Sequence, residues 1–220
     1  KIKMIIFFLK KKIWIRKKNL HLNTTSGINL KEYTASKEPK GKIIFLFASR
    51  ILKDKGIMEL IQASKELSKI TKNFELYIAG NIDRQNPSSV SHEEIKSWEA
   101  LDYLKYIGHV NNMNDLYKKI HVSILPSYRE GLPKGLLEAA ACGKPIITTD
   151  VAGCRDVVIN GKNGILINPK NSDELFLAMK KMVRNKRIRL AMGKEGRNFI
   201  KKNFLLENTV KNLIDLYNNC

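Results

Sequence analysis

The chemistry-bearing residues of this chain concentrate in one run, LPSYREGLPKGLLEAAACGKPIITTD, residues 125–150. Glu130 stands in a loop there, Gly131, Leu132, Pro133 and Lys134 open a helix, and Glu138 falls inside that helix. Proline near the first helical position suits a helix start. The free backbone N–H groups of such a start would face a bound anion. Eight residues separate the two glutamates, which at helical rise is up to ~12 Å. That gap is too wide for an acid and base sharing one substrate group. It suits an elongated, hydroxyl-rich ligand, because a carboxylate accepts hydrogen bonds at both oxygens and matches vicinal hydroxyls. A second run, ASRILKDKG at 48–56, places Arg50 and Lys55 beyond a strand and just before a helix. Two cations near a helix start suit a diphosphate. A solvated basic loop is the competing reading of that run.

The elements that must position these residues follow from the apolar pattern. Strands are predicted at 43–48 (IIFLFA), 74–79 (FELYIA), 103–107, 121–125 (HVSIL), 146–148 and 164–167 (GILI). Helices are predicted at 56–70, 91–101 with Ser91 as N-cap, 112–119, and 134–142 with Gly143 as the cap. From about Asp173 to Asn218 the chain is helical, with stripes such as Leu175, Met179, Met182 and Val210, Leu213, Ile214, Tyr217. Strands alternating with helices imply an α/β fold, a Rossmann-like doubly wound parallel sheet covered on both faces. Ligands of such sheets bind beyond the carboxyl ends of the strands. Ser49-Arg50, Gly80-Asn81, Gly108-His109 and Pro126–Pro133 each follow a strand.

The 220 residues carry 43% apolar and 28% charged side chains, which excludes collagen, coiled coil and wholesale disorder. Lys and Arg number 40 against 21 acids, a net charge of +19. Residues 1–22 hold eight of those cations and no acid, which leaves +11 for the rest. Segment 1–26 is therefore set apart from 27–220, either as a remnant or as a stretch lying on an anionic membrane surface. Its longest apolar run, Met4–Leu9, is far below the roughly 20 residues of a spanning helix. Nucleic acid is disfavoured, since aromatics mix with the basic residues only at Phe7, Phe8 and Trp14 and no nucleic-acid motif is present. The three cysteines, Cys142, Cys154 and Cys220, are odd in number and lack a C-x-x-C pair. They fit a reducing compartment, with Cys142 and Cys154 read as packed thiols. His109 and His121 are read as structural, and Asn163-Gly164 as a turn. Neither a D-x-D nor a P-loop occurs, so no metal is expected.

Taken together the motifs resemble the C-terminal domain of retaining glycosyltransferases of family 4, which have the two-domain GT-B fold. The residues that carry the resemblance are Ser49-Arg50…Lys55-Gly56, Ile107-Gly108-His109-Val110, Glu130-Gly131-Leu132-Pro133…Glu138-Ala139, Gly143-Lys144-Pro145 and Asn160-Gly161…Asn163-Gly164. They run in order over about 27–203, beginning with GINLKEY. The run NIDRQNPSSV at 81–90, Trp98 and SILPSYREGLP look most like bacterial enzymes that extend glycans on an undecaprenyl-diphosphate carrier for capsule, O-antigen or N-glycan precursors.

The resemblance implies roles. Arg50 and Lys55 would hold the donor diphosphate and Glu130 would contact the donor sugar. Glu138 would bind the ribose hydroxyls, the backbone of Gly131, Leu132 and Pro133 would line the pocket, and the base would rest near Gly108 and Val110. No cofactor is implied. A nucleotide-diphosphate sugar, with UDP as its nucleotide, would be the donor and a lipid-linked glycan or polysaccharide the acceptor. The acceptor would bind mostly to an N-terminal domain for which residues 1–26 do not suffice, so the chain is expected to be a donor-binding half. Expected location is the cytoplasm or the inner face of its membrane. The competing readings are a nucleotide-sugar-binding fragment without turnover and a basic membrane or nucleic-acid interaction protein.

Overall fold

The computed structural model describes residues 27–83 and 85–218. The basic segment 1–26 and Cys220 lie outside the described residues, as do the side chains of Leu213 and Tyr217. Six strands form one sheet: β1 (Ile43–Ala48), β2 (Phe74–Ala79), β3 (Leu104–Gly108), β4 (Val122–Leu125), β5 (Ile146–Thr149) and β6 (Gly164–Ile167). Every pairing is parallel, in the order β3-β2-β1-β4-β5-β6. The order reverses between β1 and β4, so a crevice opens at their carboxyl ends. Both strands are largely apolar, with Phe45, Leu46, Phe47, Val122 and Ile124 sealed from solvent. Burial on both faces is what parallel pairing with helical crossovers requires.

The helices among the described residues are α1 (Ile57–Ile70), α2 (His92–Glu99), α3 (Met113–Lys119), α4 (Lys134–Ala141), α5 (Ala152–Arg155), α6 (Ser172–Arg184), α7 (Lys186–Asn203) and α8 (Leu206–Asn218). A single 3-10 turn, Lys53–Lys55, precedes α1. Helix α2 starts on the expected Ser91, which forms a full capping box with Glu94. Asn112, Asn171 and Asn185 cap α3, α6 and α7 through side-chain oxygens. The stretch expected to be helical from about Asp173 to Asn218 is built of three helices, because Asn185 caps a new start and Phe204 leaves helical geometry. The 3-10 turn and α5 are too short to show an apolar period. The third strand begins one residue later than expected, and Tyr103 packs its ring against Phe74 with 4.9 Å between centroids. On the faces of the sheet α1 packs on α6 and α4 on α7.

His121 is structural, as expected. Its Nδ1 accepts the Ile44 backbone N–H at 3.0 Å, and its Nε2 lies 3.1 Å from the Pro39 carbonyl. Because Nδ1 accepts, the proton belongs on Nε2, donated to Pro39. Burial holds this imidazole neutral by pushing its pKa below the usual 6.5, outweighing the upward pull of Glu38. The unfolded chain then binds the extra proton more readily. Stability is unaffected by this group above the unfolded value and is lost as pH falls below about 6.5. Denaturant titrations at pH 7 and pH 5 should show that loss, and His121→Asn should flatten it.

Two glycines, one in α7 and one in α4, face opposite demands, Gly193 against the chain after α4 and Gly135 in roomier surroundings beside Ala48 and Tyr117. A Cβ on Gly193 would lie 2.0 Å from the Gly143 carbonyl oxygen, whereas one on Gly135 would meet nothing closer than 3.6 Å. Gly193→Ala should cost about 1–3 kcal/mol through forced separation of the helices. Gly135→Ala should gain roughly 0.5–1 kcal/mol by helix propensity. Equilibrium urea unfolding checks both signs.

Candidate functional site

The carboxyl ends of β1 and β4 bring the two sequence runs together. After β1 the chain turns through Ser49 and Arg50 into the 3-10 turn, then reverses at Gly56 with φ 74°. At Gly56 a Cβ would stand 2.0 Å from the Pro126 carbonyl oxygen, so only glycine lets the β1 loop lie against the β4 loop. That approach sets Lys55 opposite Glu130. Lys55 Nζ donates to Glu130 Oε1 at 2.7 Å, with the two side chains 17% and 12% exposed.

Glu130 Oε1 takes a second hydrogen bond at 2.7 Å from Ser127 Oγ, a side chain sealed in the interior. Ser127 is itself tied through its carbonyl, which accepts the Thr149 hydroxyl from the end of β5. No described residue bonds Oε2 of Glu130, and that oxygen is not sealed from the surface. The carboxylate is thus anchored through one oxygen and presents the other.

Glu138 repeats the pattern in different surroundings. It lies on α4 and is only 6% exposed, so the helix face here is not solvated. Its Oε1 accepts the Tyr33 hydroxyl at 2.9 Å and stands 3.5 Å from Lys134 Nζ. The Tyr117 phenol also lies against this carboxylate, and neither Glu138 oxygen is a sealed atom without a partner. Tyr33 resists ionisation strongly, first through burial and then because it donates to this carboxylate. Beside Glu138 the Tyr117 proton is committed to the Gly135 carbonyl at 2.9 Å, and deep burial lifts that phenol too.

The other expected site residues lie as follows. Arg50 sits at the mouth of the crevice, its side chain 60% exposed and paired with Asp83 at 3.0 Å. Gly131 is exposed, Leu132 half-buried and Pro133 buried, in the turn into α4. Pro133 is the N-cap and supplies no side-chain hydrogen bond, so the α4 start keeps backbone donors uncapped by a side chain. Gly108 ends the edge strand β3 and Val110 follows it, two strands from β1 and hence ~10 Å away by strand spacing. Gly108 is tied into the sheet as its carbonyl accepts the Gly80 N–H at 2.8 Å. His109 is exposed. Asn163 builds a turn, accepting from Ile159 N–H at 2.7 Å and donating to Val157 at 3.0 Å.

Ser127, Thr149, Tyr33 and Asp83 were not singled out in the sequence. Ser127 could have been found, three residues before Glu130 in a loop where a hydroxyl can reach back to a carboxylate. Tyr33 gives no such signal, because 105 residues separate it from Glu138.

Residues 31–199 match the family Glycosyl transferases group 1. The chain belongs to this family. It is 28% identical over 172 residues to the capsular polysaccharide biosynthesis glycosyltransferase CapM of Staphylococcus aureus, covering 78% of this chain and 45% of that protein. It is 32% identical over 155 residues to the N,N'-diacetylbacillosaminyl-diphospho-undecaprenol alpha-1,3-N-acetylgalactosaminyltransferase of Campylobacter jejuni, covering 70% and 39%. Among solved structures the crystal structure of Anabaena HepE in complex with UDP superposes with a TM-score of 0.78 at 18% identity, covering 88% of this chain and 56% of HepE. That likeness shows the fold, which is the Rossmann-like unit of GT-B glycosyltransferases. The chain thus spans less than half the length of the two curated relatives.

Cys142 and Cys154 flank the site and are sealed from solvent. Burial pushes the Cys142 thiol up to about 11 and raises Cys154 as well. Both should resist a thiol reagent at pH 8 in the native protein and react only after denaturant is added. Counting labelled cysteines by mass spectrometry tests this.

Proposed function

We propose that this group 1 glycosyltransferase binds a UDP-sugar across the carboxyl ends of β1, β3 and β4. It acts as the donor-binding half of a retaining transfer of a hexosyl or N-acetylhexosaminyl group to a lipid-linked or polysaccharide acceptor. The observation that carries the reading is the paired arrangement of Glu130 and Glu138. Glu130 takes Lys55 and Ser127 on one oxygen, and Glu138 takes Tyr33 on one oxygen, which leaves each carboxylate capacity to accept a ligand hydroxyl. An anchored carboxylate that is not sealed from the surface can accept from a ligand hydroxyl. Two such carboxylates, one in the loop after β4 and one on α4, fit two hydroxyl-bearing ends of one molecule, sugar at Glu130 and ribose at Glu138.

The positive groups lie between those ends. Lys55 and Arg50 face the crevice from the β1 loop, and the N–H groups opening α4 face it from the β4 side. A diphosphate there meets preorganised donors, and the negative charge that develops on it as the sugar departs meets the same field. Lys55 can hold the phosphate while remaining paired with Glu130, since an ammonium offers three donors. Such a field supplies the charge stabilisation without added metal. Among the described residues no helix is long and apolar enough to cross a membrane. We place the chain in the cytoplasm, at the inner membrane face when it meets a lipid-linked acceptor. The acceptor would be held by an N-terminal domain of the kind the resemblance implies. Because this chain spans under half of the relatives, binding without turnover is the second reading for the chain by itself.

Calorimetry separates the roles. UDP and UDP-N-acetylglucosamine should bind equally well with and without a chelator. Glu138→Gln should weaken both ligands, and Glu130→Gln should weaken the UDP-sugar while sparing UDP, each by about 1.5–3 kcal/mol. Equal losses on both ligands from both variants would overturn the assignment. Radiolabelled transfer to an undecaprenyl-diphosphate glycan should need a compatible N-terminal domain added in cis or trans, should proceed with retention, and should be abolished by Lys55→Ala.

A further inference from the structure

The two anchors of Glu138 are unequal. Lys134 is 72% exposed and stands 3.5 Å away, an (i, i+4) surface pair of the kind that contributes little and moves freely. Tyr33 is buried, and its hydroxyl is 2.9 Å from the same oxygen. Tyr117 also lies against Glu138, but its proton is donated to the Gly135 carbonyl at 2.9 Å, so the orientation of the carboxylate rests chiefly on Tyr33.

Tyr33 is held in turn by contacts that have no other evident task at the site. It lies in the segment leading into the domain, ahead of β1. Its own N–H closes a turn on the Asn29 carbonyl at 3.0 Å. The guanidinium of Arg197, on α7, donates to the carbonyls of both Tyr33 and Ala141, the last residue of α4. One planar cation thus clamps the backbone of Tyr33 to the end of the helix that carries Glu138. The next residue, Thr34, donates its N–H to Asn114 Oδ1 on α3 at 3.1 Å. The hydroxyl-to-carboxylate distance is consequently set by α3, α4, α7 and the lead-in segment together.

We infer that Tyr33 is a positioning residue for the nucleotide: through its hydroxyl it fixes Glu138 so that Oε2 points to the ligand, and so sets the affinity for the nucleoside part of the donor. Tyr33 touches the ligand nowhere in this scheme. It acts only by removing the freedom of a carboxylate that would otherwise rotate. The inference rests on the reading of Glu138 as the ribose ligand, and the test keeps the two apart.

UDP is titrated by calorimetry into the 220-residue chain and its Tyr33→Phe, Glu138→Gln and double variants, with thermal melts of each. Tyr33→Phe keeps the ring and removes one oxygen. It should weaken UDP about three- to tenfold, the scale of one lost hydrogen bond. UDP-N-acetylglucosamine should be weakened by the same factor. In the Glu138→Gln background the Tyr33→Phe change should add less than half of its single-variant loss, because the carboxylate it orients is gone. Wild-type affinity in a folded Tyr33→Phe, or fully multiplicative losses in the double variant, would overturn the positioning role while leaving the ribose reading intact. A Glu138→Gln variant with wild-type UDP affinity would overturn the ribose reading, and this inference with it.

Discussion

The Lys55–Glu130 ion pair joins the two loops that flank the point where strand order reverses, and much of the structure is arranged so that it can form. A salt bridge this well buried repays desolvation only with good geometry and further hydrogen bonds. Here the geometry comes from Gly56 lying on Pro126, and the further bond comes from Ser127. Ser127 depends on Thr149, so β5 is drawn in as well. The result is a crevice floor built by three adjacent strands, β1, β4 and β5, each contributing one polar group at its carboxyl end.

The same logic is applied a second time at Glu138, with different parts. There the anchor is a phenol rather than an ammonium, and it comes from outside the sheet. The difference matches what each carboxylate would face. Beside a diphosphate a lysine can serve both carboxylate and ligand. Beside a neutral ribose no cation is needed, and a tyrosine orients the carboxylate without adding charge. Burial suppresses the ionisation of Tyr33 and Tyr117, so both keep their hydroxyl protons at any physiological pH.

Much was legible along the chain. IIFLFA, FELYIA and GILI are strands with the boundaries their apolar runs suggest, and Ser91 and Gly143 mark helix ends where expected. These features are local: a run of apolar residues or a capping side chain acts on its own few neighbours. The placement of Glu130 in a loop and Glu138 in a helix follows from the same local rules, and so does the doubly wound sheet that sets both beyond strand ends. The division of the C-terminal helical stretch was harder to see, since Asn185 competes with long apolar stripes on either side and only its cap geometry shows that a new helix begins.

What the sequence by itself determined is thus the fold class, the strands that end in polar and charged loops, and the two runs, 48–56 and 125–150, that those loops bring to one end of the sheet. What only the tertiary structure decided is how those residues are held. That Arg50 pairs with Asp83, that Lys55 reaches Glu130, and that Tyr33 reaches Glu138 all depend on contacts between segments far apart in the chain. Such contacts leave no periodic trace, because a hydrogen bond at 105 residues' separation constrains neither neighbour's position in the sequence. They arise when the sheet and its helices have already brought the backbones into register, and the side chains then take up whichever donors and acceptors lie within reach.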